Sequence, residues 1–420
     1  MKKICLTVVG LYISFVQLFS QQTSKDTSVY QSKKLGLEEV NIVSSLYGQD
    51  GNHSAVTGGI GTEKVTDFAN GLELKFVGQS LSGHKHTLTA SLGIDHHTSA
   101  SSAYVSKTGA SKTGGSRIYP SLNWSVENLK TKSGFGLGVY YSSEYNYKSF
   151  GIDAEYTKKT NNNGEFNAKA TAYFDKVKLI YPSELIPTDT VTSSTGTVYY
   201  TTASGQQVTL NSDGHRSHDV YIPSSPRNTY SVSFSFSQVI NERMQASIAT
   251  DLVYQNGYLG LPFHRVYFTD GSVQVEKLPS TRYKLPIGLR LNYFIGDRII
   301  LKTYYRYYTD NWGVRSHTAG IEVPVKITPF FSISPFYRYY VQTAADYFAP
   351  YESHLTTDQY YTSNYALSAF SSHYFGVGLR IAPPDGVFHS HLSTLEIRYG
   401  HYTQTTDLVS NVISVALKFK

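Results

Sequence analysis

Paired histidines are the first residues with chemistry to offer. His84 and His86 stand two apart, so on a strand they share a face and could clamp one metal ion, whereas His96 and His97 would point to opposite sides. His215 and His218, flanked by Asp213 and Asp219, have the donor types of a surface Zn²⁺ or Cu²⁺ site. None of these spacings rises above scattered solvent histidine, so no metal site is assigned. Gly58-Gly59-Ile60-Gly61 with Thr62-Glu63 is glycine-rich enough to cradle a phosphate, but it lacks the lysine and the strand-to-helix setting of a P-loop. Asp50-Gly51-Asn52 starts like a calcium loop and lacks the distal bidentate Glu. A hydrolase needs a nucleophile and a base held together, and no Gly-x-Ser-x-Gly elbow occurs. The expectation is therefore no catalytic residue, no enzyme activity and no cofactor.

Charged residues at alternate positions carry more information. The first set is mostly acidic: Glu73, Asp95, Asp153, Glu155, Asp175 and Asp251, with Lys75 and Lys169 among them. The second is mostly basic: Lys284, Arg290, Lys302, Arg306, Arg338, Arg380 and Arg398, with Glu322 and Glu396 among them. Most are flanked by apolar or aromatic neighbours, as in Leu289-Arg290-Leu291 and Tyr337-Arg338-Tyr339. Such a residue needs an element that turns it to water while turning its neighbours to something apolar.

Composition narrows what that element is. Only 16% of the 420 residues are charged and 14% are aromatic, Tyr numbering 36 against 21 Phe. A soluble domain averages about 25% charged residues, and a disordered chain is poor in aromatics. Past the N-terminus no apolar run is long enough for a spanning helix. The N-terminus itself, with Lys2-Lys3 before the apolar stretch Ile4 to Phe19 and the small residue Ser20, reads as a secretory signal peptide over residues 1–20. Residues 21–34 then form a short periplasmic arm. The single Cys, Cys5, falls inside the signal, so the exported chain has no disulfide, thiol nucleophile or thiolate metal site. Loss of Lys2 and Lys3 takes the formal net charge from +6 to +4 (6 − 2), too little to argue for nucleic acid.

From Leu35 onward the pattern is period-two alternation over long segments. Phe135, Leu137, Val139 and Tyr141 alternate with Gly134, Gly136, Gly138 and Ser142; Tyr230, Val232, Phe234 and Phe236 alternate with serines; Leu285, Ile287, Leu289 and Leu291 alternate with Lys284, Pro286, Gly288 and Arg290. Strands in soluble sandwiches run about five or six residues, whereas strands of about ten with one apolar and one polar face belong to outer-membrane barrels. Lipid offers no hydrogen-bond partner, so only a closed sheet can cross it this way. Strand starts fall near Leu37, Asp67, Lys85, Arg117, Gly134, Lys148, Glu165, Asn228, Met244, Tyr283, Ile299, Val314, Phe331, His373, His391 and Leu408. The expected fold is an all-β, up-and-down antiparallel transmembrane barrel of about sixteen strands over residues 35–420. Short periplasmic turns are expected near Lys130–Gly134, Asn161–Gly164, Asn241–Arg243, Gly296–Arg298 and Thr328-Pro329. Long extracellular loops are expected near Ser99–Ser116, Tyr181–Pro226, Gly257–Thr281 and Ala344–Tyr365. The Gly58–Gly61 segment becomes a loop folded into the barrel mouth. The tyrosine runs Tyr304–Tyr308, Tyr337–Tyr340 and Tyr140-Tyr141 suit the headgroup level at the outer ends of strands.

Several stretches resemble a known family: Tyr305-Arg306-Tyr307-Tyr308-Thr309-Asp310-Asn311-Trp312-Gly313, Pro335-Phe336-Tyr337-Arg338-Tyr339-Tyr340, Ala344-Ala345-Asp346-Tyr347, and at the front Tyr47-Gly48-Gln49-Asp50-Gly51-Asn52 followed by Val56-Thr57-Gly58-Gly59-Ile60-Gly61. Together they are similar to a family of uncharacterised bacterial outer-membrane barrels defined only as a domain of unknown function. The resemblance covers almost the whole exported chain. It implies a Gram-negative outer-membrane location, and it carries no activity and no functional residue with it.

Sequential strands are neighbours in such a barrel, so the acidic and basic sets would face each other across the lumen. The leading expectation is a porin-like channel or transporter for small polar solutes, oriented by the transverse field of opposed walls. The alternative is a non-conducting barrel, its lumen charges paired as a plug and its extracellular loops serving as a binding or assembly surface. A barrel enzyme or metal-handling protein stands third. The expected partners are outer-membrane lipid, a small polar solute and the barrel-insertion machinery, with no nucleic acid.

Overall fold

Alternating apolar and small or polar residues, rich in aromatic and β-branched side chains, build long strands joined mostly by tight turns. The computed structural model describes residues 32–98, 114–182 and 223–420, together with residue 185 and the short pieces 191–192, 197–201 and 207–211. The expected signal peptide over 1–20, most of the expected arm that follows, and His215 and His218 lie outside the described residues.

The strands are β1 (Lys33–Asp50), β2 (Val65–Gln79), β3 (His84–His97), β4 (Gly115–Asn128), β5 (Ser133–Ser143), β6 (Tyr147–Lys159), β7 (Gly164–Lys178), β8 (Ser224–Asn241), β9 (Met244–Gly257), β10 (Thr281–Ile295), β11 (Ile299–Asp310), β12 (Arg315–Glu322, continued by Val325–Lys326), β13 (Phe331–Gln342), β14 (Phe370–Ile381), β15 (Leu392–Gln404) and β16 (Leu408–Phe419). Both pieces of β12 pair with β11 and β13. The break between them is at Val323-Pro324, where Pro324 has no N–H to give. Each strand runs antiparallel to its chain neighbours, and β1 pairs with β16 from Val40–Phe419 to Asp50–Val409, so the sheet closes on itself with sixteen strands. Closure leaves no edge strand unpaired. The chain is an outer-membrane β-barrel, crossing lipid with strands.

Alternation sets the two faces. Phe135, Leu137 and Val139 are 44%, 47% and 46% exposed on the outside of β5. Such apolar exposure all round a closed wall is the lipid-facing band of a membrane barrel. Tight turns such as 160–163 and 242–243 share one end with the chain termini. The connections 51–64, 258–280 and 343–369, with the end of β3, the start of β4, the end of β7 and the start of β8, lie at the other, extracellular end. Three extracellular connections, 144–146, 311–314 and 405–407, are short, so length alternates less regularly than the sequence reading expects. The tyrosine runs are also divided by alternation. Tyr305, Tyr337 and Tyr141 face out at 43%, 41% and 45% exposure. Their neighbours Tyr304, Tyr308, Tyr340 and Tyr140 share the inward face, so only half of each run reaches headgroups.

The buried core is outside the membrane. Val266, Phe268 and Tyr361 form an apolar cluster, with Thr362, Ser363, His354, Arg265 and Glu276 also buried. All belong to the connections 258–280 and 343–369. The first of these contains a short hairpin in which Arg265 pairs with Val275 and Tyr267 with Val273.

Candidate functional site: the lumen and its cap

The cap is assembled from three connections. Lys277 and Tyr361 exchange backbone hydrogen bonds, and the Thr362 hydroxyl donates to Glu276 at 2.5 Å. Glu276 also accepts from the Leu261 amide at 2.8 Å, and its carboxylate lies 3.7 Å from the His264 ring. Burial opposes ionisation of Glu276, but His264, Thr362 and the Leu261 N–H hold its carboxyl below the usual range. The 51–64 connection joins through Arg265 Nη1, which donates to the Val56 carbonyl at 2.7 Å, and through His53 stacked on Tyr365 at 3.8 Å. Gly58 and Gly59 have φ of +84° and +87°, and a Cβ on either would strike Tyr267 or the Ser363 carbonyl. Glycine there serves close packing of the cap. β1–β2 and β9–β10 are eight strands apart in a ring of sixteen. A contact between their connections therefore bridges the mouth, and the 343–369 connection from β13–β14 fills the arc between.

Below the cap the lumen has two unlike sides. All the acidic residues expected from sequence share the inward face, and most are held by neutral or cationic donors. Asn41 Nδ2 donates to Glu73 at 3.0 Å, the Tyr119 hydroxyl to Asp95 at 2.7 Å, Asn167 to Glu155 and Tyr147 to Asp175. Asp153 is buried beside Lys169 at 3.2 Å, and Asp251 stands opposite Ser233. A cavity of about 770 Å³ beside this wall is lined by Glu73, Arg117, Tyr119, Arg380, Glu396 and Lys418, among others.

The basic residues fall on successive cross-strand rows from β10 to β15. One row runs Arg290–Tyr304–Gly320–Arg338–Tyr374–Tyr402. Towards the extracellular end the next row carries Arg306, and beyond it Lys284 stands opposite Asp310, which the unforeseen Arg282 holds through Nε at 2.9 Å. Towards the periplasm Lys302 and Arg398 both reach Glu322, at 3.1 and 2.9 Å, and Arg398 also reaches Glu396 at 3.3 Å. Arg290, Arg306 and Arg338 instead lie over the rings of Tyr304, Tyr308 and Tyr374, at 5.3, 6.0 and 4.9 Å. These three and Arg380 are exposed although they point inward, and none has an ion pair among the described residues. A guanidinium resting on a ring face keeps its N–H edge free for a planar anion.

The Gly58–Gly61 loop lies in the mouth as its sequence predicts, whereas the cap contributed by 258–280 and 343–369, Arg282–Asp310, the inward Arg117 and Arg227, and the Glu39–Lys418 pair at 2.6 Å were not foreseen. A signal for the cap was available: Phe263-His264-Arg265-Val266-Tyr267-Phe268 and Tyr360-Tyr361 are too aromatic for solvated loops. His84 sits between Ser82 and Asn128 in the periplasmic turn, and His86 stacks on Trp124 at 6.1 Å, both as ordinary surface contacts. His97 turns inward to Glu144 at 3.2 Å while His96 turns outward to Ser116.

Compared with known proteins, residues 9–410 match the family described as "Protein of unknown function (DUF3570)". No curated protein matches in sequence. Among solved structures the chain is similar to Pseudomonas aeruginosa OpdK crystallised with vanillate, at 8% identity, TM-score 0.40, covering 91% of this chain and 98% of that one. It is also similar to Acinetobacter baumannii OccAB3, at 10% identity, TM-score 0.35, covering 91% and 98%. The COG4313 outer membrane channel from Pseudomonas putida F1 gives 11% identity, TM-score 0.34, covering 76% and 100%. Likenesses of this size carry nothing about solute.

Proposed function

The chain belongs to the DUF3570 family, and from that footing we propose that it is a porin-like outer-membrane channel whose lumen favours small polar anions. One observation carries the reading. Arg290, Arg306, Arg338 and Arg380 point into the barrel, stay exposed there and make no ion pair among the described residues, although Arg380 stands across from Glu396 in the β14–β15 register. Unpaired guanidinium groups in a dry plug would bear a heavy desolvation cost, so their exposure fits a water-filled lumen. The acidic side, clothed by Tyr, Asn and Lys donors, supplies the opposing wall of a transverse field. A solute would pass beside the cap and then along the row of Arg290, Arg338 and their tyrosines, where anions bind weakly enough to leave. Purified protein in planar bilayers should give a steady conductance with anion preference in a salt gradient.

The cap favours a second reading, a non-conducting barrel that presents its loops as a binding surface, because its connections meet across the mouth through Arg265 and Val56. Absence of conductance both in the intact protein and after proteolytic opening of segment 258–280 would select that reading.

A further inference from the structure

We propose that the outward face of β6 and β7, at their extracellular ends, binds the phosphate groups of an outer-leaflet glycolipid. Phe150, Ile152 and Tyr156 on β6, and Phe166 and Phe174 on β7, are exposed outward, so even-numbered positions of both strands face lipid. Lys148, Lys176 and Lys178 share that parity. Lys148 and Lys176 are direct cross-strand partners, one pair beyond Phe150–Phe174. That step is about 7 Å along the strand, from the end of the apolar band to headgroup depth. Lys178 Nζ lies 4.5 Å from the centre of the Tyr145 ring, which tilts a third cation over the same patch.

Directly opposed like charges destabilise a strand pair, and none of these three lysines has an ion pair among the described residues. The acids adjoining Tyr145 and Lys176 in sequence are turned inward, Glu144 to His97 and Asp175 to Tyr147. The flanking outward positions on β5 and β8, Ser143 opposite Lys148 and Pro226 opposite Lys176, are neutral. Elsewhere on the rim the interface is built from Tyr–His pairs, Tyr305 with His317 and Tyr337 with His373, each at 2.7 Å. Three outward lysines are therefore gathered on one seam, at the depth where lipid phosphates lie, whereas Arg315 on β12 is a lone outward cation among the described residues of its stretch of the rim. Ammonium groups bind phosphate as compact point charges, and two lysines from adjacent strands can share one phosphate and relieve their own repulsion.

The test uses the full-length protein in detergent micelles with bis-phosphorylated lipid A as the probe, against the same lipid treated with phosphatase. Lys148→Gln with Lys176→Gln should raise the dissociation constant for the phosphorylated lipid roughly 30-fold, from about 1 kcal/mol for each lysine. The dephosphorylated lipid should bind the unaltered protein as weakly as the variant binds the intact lipid. Heat-modifiable gel migration shows that the variant is folded. As a readout that needs no variant, affinity of the unaltered protein should fall as salt rises from about 50 to about 500 mM. Equal binding of both lipids, an unchanged constant in the double variant, or salt-independent binding would each overturn the site. Displacement of the lipid by inorganic phosphate at similar concentration would reassign it to a soluble anion and overturn the lipid proposal.

Discussion

Arg265 in the cap and Arg338 on the lumen wall are both arginines within the barrel's water-facing parts, and they live differently. Arg265 is 2% exposed and donates to the Val56 carbonyl, tying one connection to another. Arg338 is exposed, rests on Tyr374 and has no ion pair among the described residues. The same division runs through the rest of the two regions: Glu276 is enclosed by His264, Thr362 and Leu261, whereas Arg290 and Arg306 hold only ring faces. Charge in the cap is consumed in holding loops together. On the basic wall Lys302 and Arg398 are paired with Glu322, but charge at Arg290, Arg306 and Arg338 is left over, and leftover charge facing water is available to a solute.

Substitutions should separate these two uses by their cost in stability. Glu276→Ala should cost most, about 3 kcal/mol, because it strands buried donors on Thr362, Leu261 and His264. Faster hydrogen exchange across 258–280, with the barrel's own melting unchanged, is the expected result. No change in exchange would mean that the cap does not depend on this carboxylate.

Acidification is the next largest, and its sign differs between two parts of the cap. The lowered folded-state value of Glu276 stabilises above its usual value of 4.5, and that stability is lost as pH falls through the folded value. Glu63, raised by burial with His53 pulling weakly the other way, contributes below 4.5 and loses that contribution as pH rises through its raised value. Exchange measured from pH 6 to about pH 3 should therefore loosen 258–280 and tighten 51–64. Parallel responses would break this assignment.

Asp153→Asn, on the clothed acidic wall, should cost about 1 kcal/mol through loss of the Lys169 pair, read as a small drop in thermal midpoint with little change in selectivity. Arg306→Glu with Arg338→Glu should cost least in stability, within about 1 kcal/mol for exposed groups. It should nevertheless move the reversal potential towards cations. A barrel that instead unfolds and conducts in neither form would mean that these arginines are packed, and the contrast with Arg265 would collapse.

Strand number, strand starts and the inward side of every wall residue were legible in the sequence because period two is strict: a position such as Arg290 between Leu289 and Leu291 can face only one way. The partners of those residues were not legible. Whether Arg398 meets Glu322 depends on strand stagger around the ring, which local alternation does not encode. The cap was hidden for another reason. Its connections have no period, and Arg265 and Val56 meet only because closure brings β1–β2 and β9–β10 to opposite rims of one mouth.

The seam between β1 and β16 has a kinetic meaning. Val40 must find Phe419, so the last bond of the ring joins nearly the two ends of the chain. Contacts so distant in sequence form slowly, and until they form both edge strands offer unpaired N–H and C=O groups to any neighbouring chain. Neither edge can be satisfied by lipid. A ribosome must finish β16 before any part of the wall is sealed, and the waiting sheet is a template for aggregation. The register of this seam therefore places the most distant contacts of the sheet at its closure, and both edges stay open until Val40 and Phe419 meet.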